Sequence, residues 1–161
     1  MVLRTIYGFM IISFFANSIV ASTLHQAVLS NDIVAVSNFI RSGVDINKRD
    51  GKTPLHYACL NGNLQIAEIL VSHGADVNAR DATGMTPLHC LLSTYRDDES
   101  FAAKVAEGEI EQIRHSEKIL FLLQNAKVRW DVQDNKGNYP VHLVKSESAV
   151  VALQKLKENI D

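Results

Sequence analysis

The stretch TPLHYACLNGNLQIAEILVSHGADVNARD, residues 53–81, contains two short helix patterns separated by a glycine and followed by a polar loop. Thr53 is a favourable N-cap residue, and Pro54 suits the first helical position, where a missing N–H is tolerated. The apolar run LQIAEILV is followed by Gly74, and glycine is common just after a helix. The stretch therefore predicts a pair of helices that leads into a turn-rich loop.

Related stretches recur on both sides of this one, beginning at Thr23, Thr86 and Tyr139. A histidine marks the same register position in each, and successive histidines are 31, 33 and 53 residues apart, at His25, His56, His89 and His142. The last interval is one period plus an insertion of about 20 residues. A fixed period of this length predicts stacked units, because one helix pair cannot bury its apolar face alone.

These residues closely resemble the ankyrin repeat, whose unit of about 33 residues carries the signature T-P-L-H-x-A. The second unit matches best, through Thr53–Ala58, Gly62, Ile66, Ile69–Leu70 and Gly74–Ala79. The resemblance extends over nearly all of residues 23–156. It implies an all-α fold, a solenoid of stacked helix pairs joined by hairpin-like loops.

The repeat domain is expected over residues 22–161, after an N-terminal segment at 1–21. Its units are predicted at about 22–49, 50–80, 81–133 with an insertion at 96–117, and 134–161 as a capping unit. The predicted helix pairs are 23–30 with 33–42, 54–60 with 64–72, 87–95 with 109–125, and 140–146 with 149–159.

Three departures from the repeat pattern carry information. The first loop, DGKTP, is two residues shorter than DATGMTP, which predicts a blunted hairpin tip. The insertion is rich in helix formers and predicts extra helix that lengthens the second helix of the third unit. The fourth unit ends in KLKENID, as expected of a terminal repeat whose outer face meets water.

The N-terminal segment has a charged start at Arg4, a short apolar run and then small residues, the order found in secretory signal peptides. Cleavage is predicted after Ala21, with Ser18 as second choice, and the protein is expected to be exported, either secreted or held in the periplasm or envelope. Two alternatives stay open. The segment could act as an uncleaved membrane anchor over residues 6–21, although this is short of the about 20 residues that a span needs, or it could be a folded first helix.

Composition excludes several other classes. The net charge of −2 and the pI near 6.3 give no basic footprint for nucleic acid. With 47% apolar and 21% charged residues, the chain is typical of one globular domain. We expect a monomer that makes no membrane contact beyond the N-terminal segment.

The histidines and cysteines do not predict reactive chemistry. The resemblance implies that His56 and His89 are structural and bond to the threonine of the motif and to a neighbouring loop. Zinc needs about four nitrogen or sulfur ligands, and stacked units separate these two histidines by roughly 10 Å. Cys59 is read as an unreactive core thiol, and a disulfide to Cys90 would be geometrically demanding. No metal and no cofactor are predicted.

No enzyme signature is present either. The sequence lacks G-x-S-x-G, a phosphate-binding glycine loop and H-E-x-x-H. The insertion has an excess of acidic residues, which is read as a solvated helix face rather than as acid/base chemistry. We therefore predict a noncatalytic protein.

The resemblance implies that the protein binds an unknown partner protein through hairpin tips and first helices. The tip residues carried over are Arg49, Lys52, Arg80, Thr83, Met85, Gln133, Lys136 and Asn138, and the helix residues are Tyr57, Asn61 and Thr94. The cations among them indicate an acidic partner, although they could equally be ordinary solubilising charges. Two alternatives are an inhibitor or immunity-type protein for a secreted enzyme, and an enzyme-associated factor that acts through the insertion.

Overall fold

The computed structural model describes residues 23–94 and 115–144. Three predictions fall on residues outside these ranges and are not addressed by the structure. They concern the N-terminal segment, most of the insertion, and the second helix of the capping unit at 149–159.

The described residues form two rows of short helices. The helices are α1 Leu24–Leu29, α2 Ile33–Arg41, α3 Pro54–Asn61, α4 Leu64–Ser72, α5 Pro87–Ser93, α6 His115–Asn125 and a 3-10 helix Pro140–Leu143. One row consists of α1, α3, α5 and the 3-10 helix, and the other consists of α2, α4 and α6. In the first three units the two helices of a unit also pack against each other, as in α3 with α4. The predicted stacking of helix pairs is confirmed for this part of the chain.

The helix boundaries follow the local signals. Thr53 and Thr86 have extended backbones and stand before a proline at the first helical position. The helix α3 ends at Gly62, whose φ of +67° is left-handed and therefore natural for glycine. Gly74 has the same role after α4, with a φ of +87°. The third unit has Lys127 at that position, with a φ of +61°. This left-handed conformation costs a residue with a Cβ atom roughly 1–2 kcal/mol.

Among the described residues, two helix ends differ from the prediction by more than one residue. The helix α5 ends at Ser93, two residues before the predicted end at position 95, and Thr94 caps it. The first helix of the capping unit is a single 3-10 turn, and Val144 already has an extended backbone. The β-branched Val141 and Val144 weaken helix propensity there, and the turn ends at Leu143.

The core lies between the two rows. Its fully buried side chains come from equivalent positions of successive units and include Leu55, Leu88, Ile66, Leu70, Leu120 and Leu123. Trp130 stands where the earlier units have Ile46 and Val77, and it is partly buried against this core. Burial on this scale stabilises by about 1.5–3 kcal/mol for each large side chain. The polar loops are therefore attached to a well-packed helical core.

Candidate protein-binding surface

The histidine of the repeat motif ties each unit to the loop of the next. The backbone N–H of Thr53 donates to Nδ1 of His56 over 3.2 Å, and Nε2 of His56 lies 3.0 Å from the carbonyl of Met85. Because Nδ1 accepts, the proton is on Nε2, which donates to Met85. His56 is fully buried, so burial lowers its pKa and keeps the ring neutral.

His89 repeats this arrangement one unit later. Its Nδ1 accepts from the N–H of Thr86 over 3.1 Å, and its Nε2 donates to the carbonyl of Asn138 over 3.1 Å. The structural role predicted for both histidines is confirmed. His25 also reaches the next unit, since its Nε2 lies 3.1 Å from the carbonyl of Lys52. These links set where each hairpin tip stands over the helices.

The three hairpin tips are defined here as residues 50–52, 81–85 and 134–138. Tip 1 is closed by a single bridge between Asp50 and Lys52, which confirms that it is blunted. Tip 2 is closed by the backbone bond from Asp81 N–H to the Met85 carbonyl, 2.8 Å long. Tip 3 has the equivalent bond from Asp134 to Asn138, 2.9 Å long.

Asp81 is the centre of tip 2. Its Oδ1 accepts from the N–H and hydroxyl of Thr83 over 2.8 and 2.7 Å and from the N–H of Met85 over 2.9 Å. Its Oδ2 accepts from the Lys52 ammonium of tip 1. Burial by itself would raise the pKa of Asp81, but the bonds from Lys52 and Thr83 outweigh it and lower the pKa to about 2. The carboxylate is therefore charged and joins two tips.

Neighbouring tips are also joined directly. Ala82 N–H donates to the Gly51 carbonyl over 3.4 Å, and Asn135 N–H donates to the Thr83 carbonyl over 2.9 Å. The side-chain amide of Asn135 adds a bond to the Ala82 carbonyl over 3.2 Å. Tip 3 passes so close to Gly84 that a Cβ added there would lie 2.9 Å from the Asn135 backbone nitrogen. The tips therefore form one connected edge, which we call the tip row.

The predicted partner-binding residues fall into two groups. Seven are exposed: Arg49, Asn61, Arg80, Thr83, Thr94, Gln133 and Lys136. Four are half-buried: Lys52, Tyr57, Met85 and Asn138. The structure brings the tip residues together along the tip row, whereas Asn61 and Thr94 lie at the C-terminal ends of first-row helices.

The four half-buried residues make internal contacts. Lys52 pairs with Asp81, and the Tyr57 hydroxyl donates to the Asp50 carbonyl over 3.1 Å. Through their carbonyls, Met85 and Asn138 accept the histidine bonds described above. These four residues therefore stabilise the tip row through internal contacts, whether or not they also contact a partner.

Sequence reasoning missed two features. Leu29 has the register position of Leu60 on the first-row helices and is 51% exposed, a place that the spacing to the motif histidine could have identified. The second feature is an open cleft of about 430 Å³ between the loops of units two and three. Arg129 and Asp131 line it and stand where earlier units have aspartate and asparagine. These two changes of residue type at repeat positions could have been found in the sequence.

The described residues show a core thiol environment at both cysteines. Cys59 and Cys90 are buried and free, and burial raises the pKa of Cys59 strongly and that of Cys90 to about 11. Within residues 23–94 and 115–144, no three His, Cys, Asp or Glu side chains are grouped as metal ligands. None of the helices in these ranges is long and apolar enough to cross a membrane.

Comparison with known proteins agrees with this architecture. Residues 24–100 match the sequence family of ankyrin repeats, three copies, whereas no curated protein matches the sequence. Among solved structures, the ankyrin repeat domain of Bcl-3, a unique member of the IkappaB protein family, is similar with a TM-score of 0.62 and 22% identity. The match covers 81% of this chain but only 50% of that one, so this chain spans about half its length. Residues 24–100 therefore carry ankyrin repeats, and the described part of the chain has the ankyrin-repeat fold.

Proposed function

We propose that the protein is a noncatalytic interaction module that binds a partner protein along the tip row and the exposed ends of the first-row helices. The observation that carries this proposal is the connected tip row. Hydrogen bonds between successive tips fix their backbones, while Arg49, Arg80 and Lys136 keep exposed side chains. A fixed backbone with exposed, varied side chains lowers the entropy lost on binding. Ankyrin repeats generally mediate protein–protein interaction.

Photo-crosslinking tests the location of the surface. A benzophenone amino acid placed at position 49, 61 or 136 is expected to crosslink the partner, because these side chains are exposed along the proposed surface. The same group at position 65 or 68 serves as a matched control, since Gln65 and Glu68 are exposed on α4 in the second row. The measurement is the mass of crosslinked species formed in the native extract.

One crosslinked species shared by the three surface positions and absent from the two α4 positions would support the proposal. Crosslinks confined to the α4 positions would place the interaction on the opposite row and overturn it. The alternatives of an inhibitor of a secreted enzyme and of an enzyme-associated factor stay predictions.

We further propose that residues 1–21 direct export and are then removed. The support is the order of Arg4, an uncharged apolar run and the small residues before Ser22. Mass spectrometry of the full-length product expressed in its native host is expected to show a chain that begins at Ser22. An intact chain in the membrane fraction would favour the anchor instead, and an intact chain in the soluble fraction would contradict both export and anchoring.

A further inference from the structure

The cleft between the loops of units two and three is lined mainly by polar side chains. It is lined by Asn78, Arg80, Arg129, Asp131, Gln133 and Asp134. Its volume of about 430 Å³ lies within the range of ligand pockets, roughly 300–1,000 Å³. The cleft therefore has room for a segment of a partner chain rather than for a single small ion.

One lining side chain, that of Asn78, bonds the two loops that border the cleft. The Oδ1 of Asn78 accepts from the backbone N–H of Arg129 over 2.7 Å, and its amide donates to the Lys127 carbonyl over 3.3 Å. The loops of the two units are thus tied together through Asn78. A site held in this way is largely formed before a ligand arrives.

The charges in the cleft are unequally compensated. Arg129 donates to both carboxylate oxygens of Asp131, through Nε over 3.1 Å and Nη2 over 3.0 Å. Asp134 is surrounded by its own tip, since its Oδ1 accepts from the N–H groups of Lys136 and Asn138 over 2.8 Å each. Both carboxylates therefore already have strong donors, and neither is well placed to attract a cationic ligand.

Arg80 has the weakest internal bond among these charged groups. Its Nη2 lies 3.5 Å from Oδ1 of Asn135, at the long limit of a hydrogen bond. A guanidinium carries five N–H donors, so Arg80 can still present a two-bond fork to an incoming anion. The pair with Asp131 uses two of the five donors of Arg129, and the exposed Gln133 adds a neutral amide nearby.

We propose that this cleft takes the carboxylate of an aspartate or glutamate side chain from the partner protein, bound by Arg80 with support from Arg129 and Gln133. This inference rests on the proposed function, because it names the chemistry of the partner segment. Arginine matches a planar carboxylate through two parallel bonds. The exposed cations Arg49, which precedes tip 1, and Lys136, which lies in tip 3, would steer an acidic segment toward the cleft.

A peptide titration tests the proposal directly. The probe is the peptide Ac-Gly-Glu-Glu-Gly-NH2, and its matched control is Ac-Gly-Gln-Gln-Gly-NH2, which has nearly the same shape without charge. In nitrogen-15 spectra of the protein, the acidic peptide is expected to shift the Nε–H signals of Arg80 and Arg129 and the side-chain amide of Gln133. The glutamine peptide is expected to leave these signals in place.

Two variants with the same change in charge separate a specific site from general attraction. Arg80→Gln is expected to weaken the acidic peptide about tenfold, the effect of losing one charge-assisted pair. Lys48→Gln removes a cation from an exposed position outside the cleft and is expected to change the affinity by less than about twofold. Equal effects of the two variants, or equal shifts with the two peptides, would overturn the proposal.

The result can be read separately from the crosslinking experiment. If the tip-row positions crosslink a partner whose binding is unchanged by Arg80→Gln, the interaction surface stands and the carboxylate site is wrong. If the acidic peptide shifts the cleft signals but the tip row crosslinks nothing, the cleft stands and the proposed function fails. Unchanged backbone spectra of Arg80→Gln confirm that the variant is folded before either reading is made.

Discussion

Replacing Asp81 with alanine is expected to lower the free energy of unfolding by about 3 kcal/mol. The side chain is 1% exposed, and its loss leaves the N–H groups of Thr83 and Met85 without the acceptor that turns tip 2. Each buried donor without a partner costs about 1–3 kcal/mol, and water reaches part of this tip because Thr83 is exposed. The loss also removes the ion pair with Lys52, which joins tips 1 and 2.

Two matched variants separate the turn from the ion pair. Asp81→Asn keeps an oxygen for the Thr83 and Met85 bonds, so its expected loss is about 1 kcal/mol. Lys52→Met removes the cation but keeps the half-buried stem, and its expected loss is also about 1 kcal/mol because the lysine is 25% exposed. Urea denaturation at pH 7 gives the three values. A loss in Asp81→Ala no larger than in Lys52→Met would show that the turn bonds contribute nothing.

A destabilised tip 2 should also affect its neighbours. In stacked repeats the stability is close to a sum of unit terms and nearest-neighbour terms. Tip 2 bonds tip 1 through Ala82 and tip 3 through Asn135. Asp81 therefore contributes to two interfaces at once, and its position in the middle of the array explains why we expect a larger effect there than at a terminal unit.

The repeat motif made the helices and the histidines predictable. Thr53 and Pro54 fix the start of α3 through local geometry, and the same pair recurs at the start of α5. Because His56 and His89 hold one register position, one structural role could serve both, and the resemblance supplied it. The bonds to Met85 and Asn138 confirm that role.

Local signals do not determine which loop side chains face outward. Lys52 and Arg49 are both cations near tip 1, yet only Lys52 turns inward to Asp81. Loops have no fixed period from which a face can be read, so the direction of Lys52 depends on tip 2, 29 residues away. The sequence therefore predicts which loops carry a binding surface but not which of their side chains are exposed.

The cleft depends on contacts that are still more distant in the chain. Asn78 reaches the backbone of Arg129 across 51 residues, and the insertion lies between them. A repeat pattern places these residues in neighbouring units but does not give the spacing between their loops. Arg129 and Asp131 stand where earlier units have aspartate and asparagine, which indicates that the loops of units two and three pack differently from those of the earlier units. The presence of a cleft between them follows only from the packed structure.

Acidification from pH 7 to pH 5 is expected to destabilise the protein, with His56 and His89 as the main cause. Burial lowers the pKa of each in the folded state and outweighs the bonds to the Met85 and Asn138 carbonyls. Since the reference pKa is 6.5, the unfolded chain takes up protons first as the pH falls. The contribution of the two neutral rings to the free energy of unfolding is therefore fully present above about pH 7. It decreases as the pH falls from there to the pKa of the rings in the folded state.

The rate at which the free energy of unfolding changes with pH has an upper limit, which is set by the number of protons taken up. Each histidine contributes at most about 1.4 kcal/mol per pH unit, so the two together give at most about 2.8 kcal/mol per unit. Asp81 acts in a separate range, because its pKa of about 2 is below the ordinary value of 3.8. Its contribution is present above about pH 4 and is lost as the pH falls toward 2.

Unfolding in urea at pH 7, 6 and 5 measures the slope. His89→Gln and His56→Gln are each expected to reduce it by about half, and Gln65→Ala, which changes no titrating group, is expected to retain it. If a histidine variant does not fold, nitrogen-15 spectra of the native protein test instead whether the two rings are neutral and which nitrogen carries the proton. Both rings should show a proton on Nε2 at pH 7, because Nδ1 accepts from the threonine N–H. A free energy of unfolding that is constant from pH 7 to 5, or protons found on Nδ1, would show that these rings are not the neutral links between units that the structure indicates.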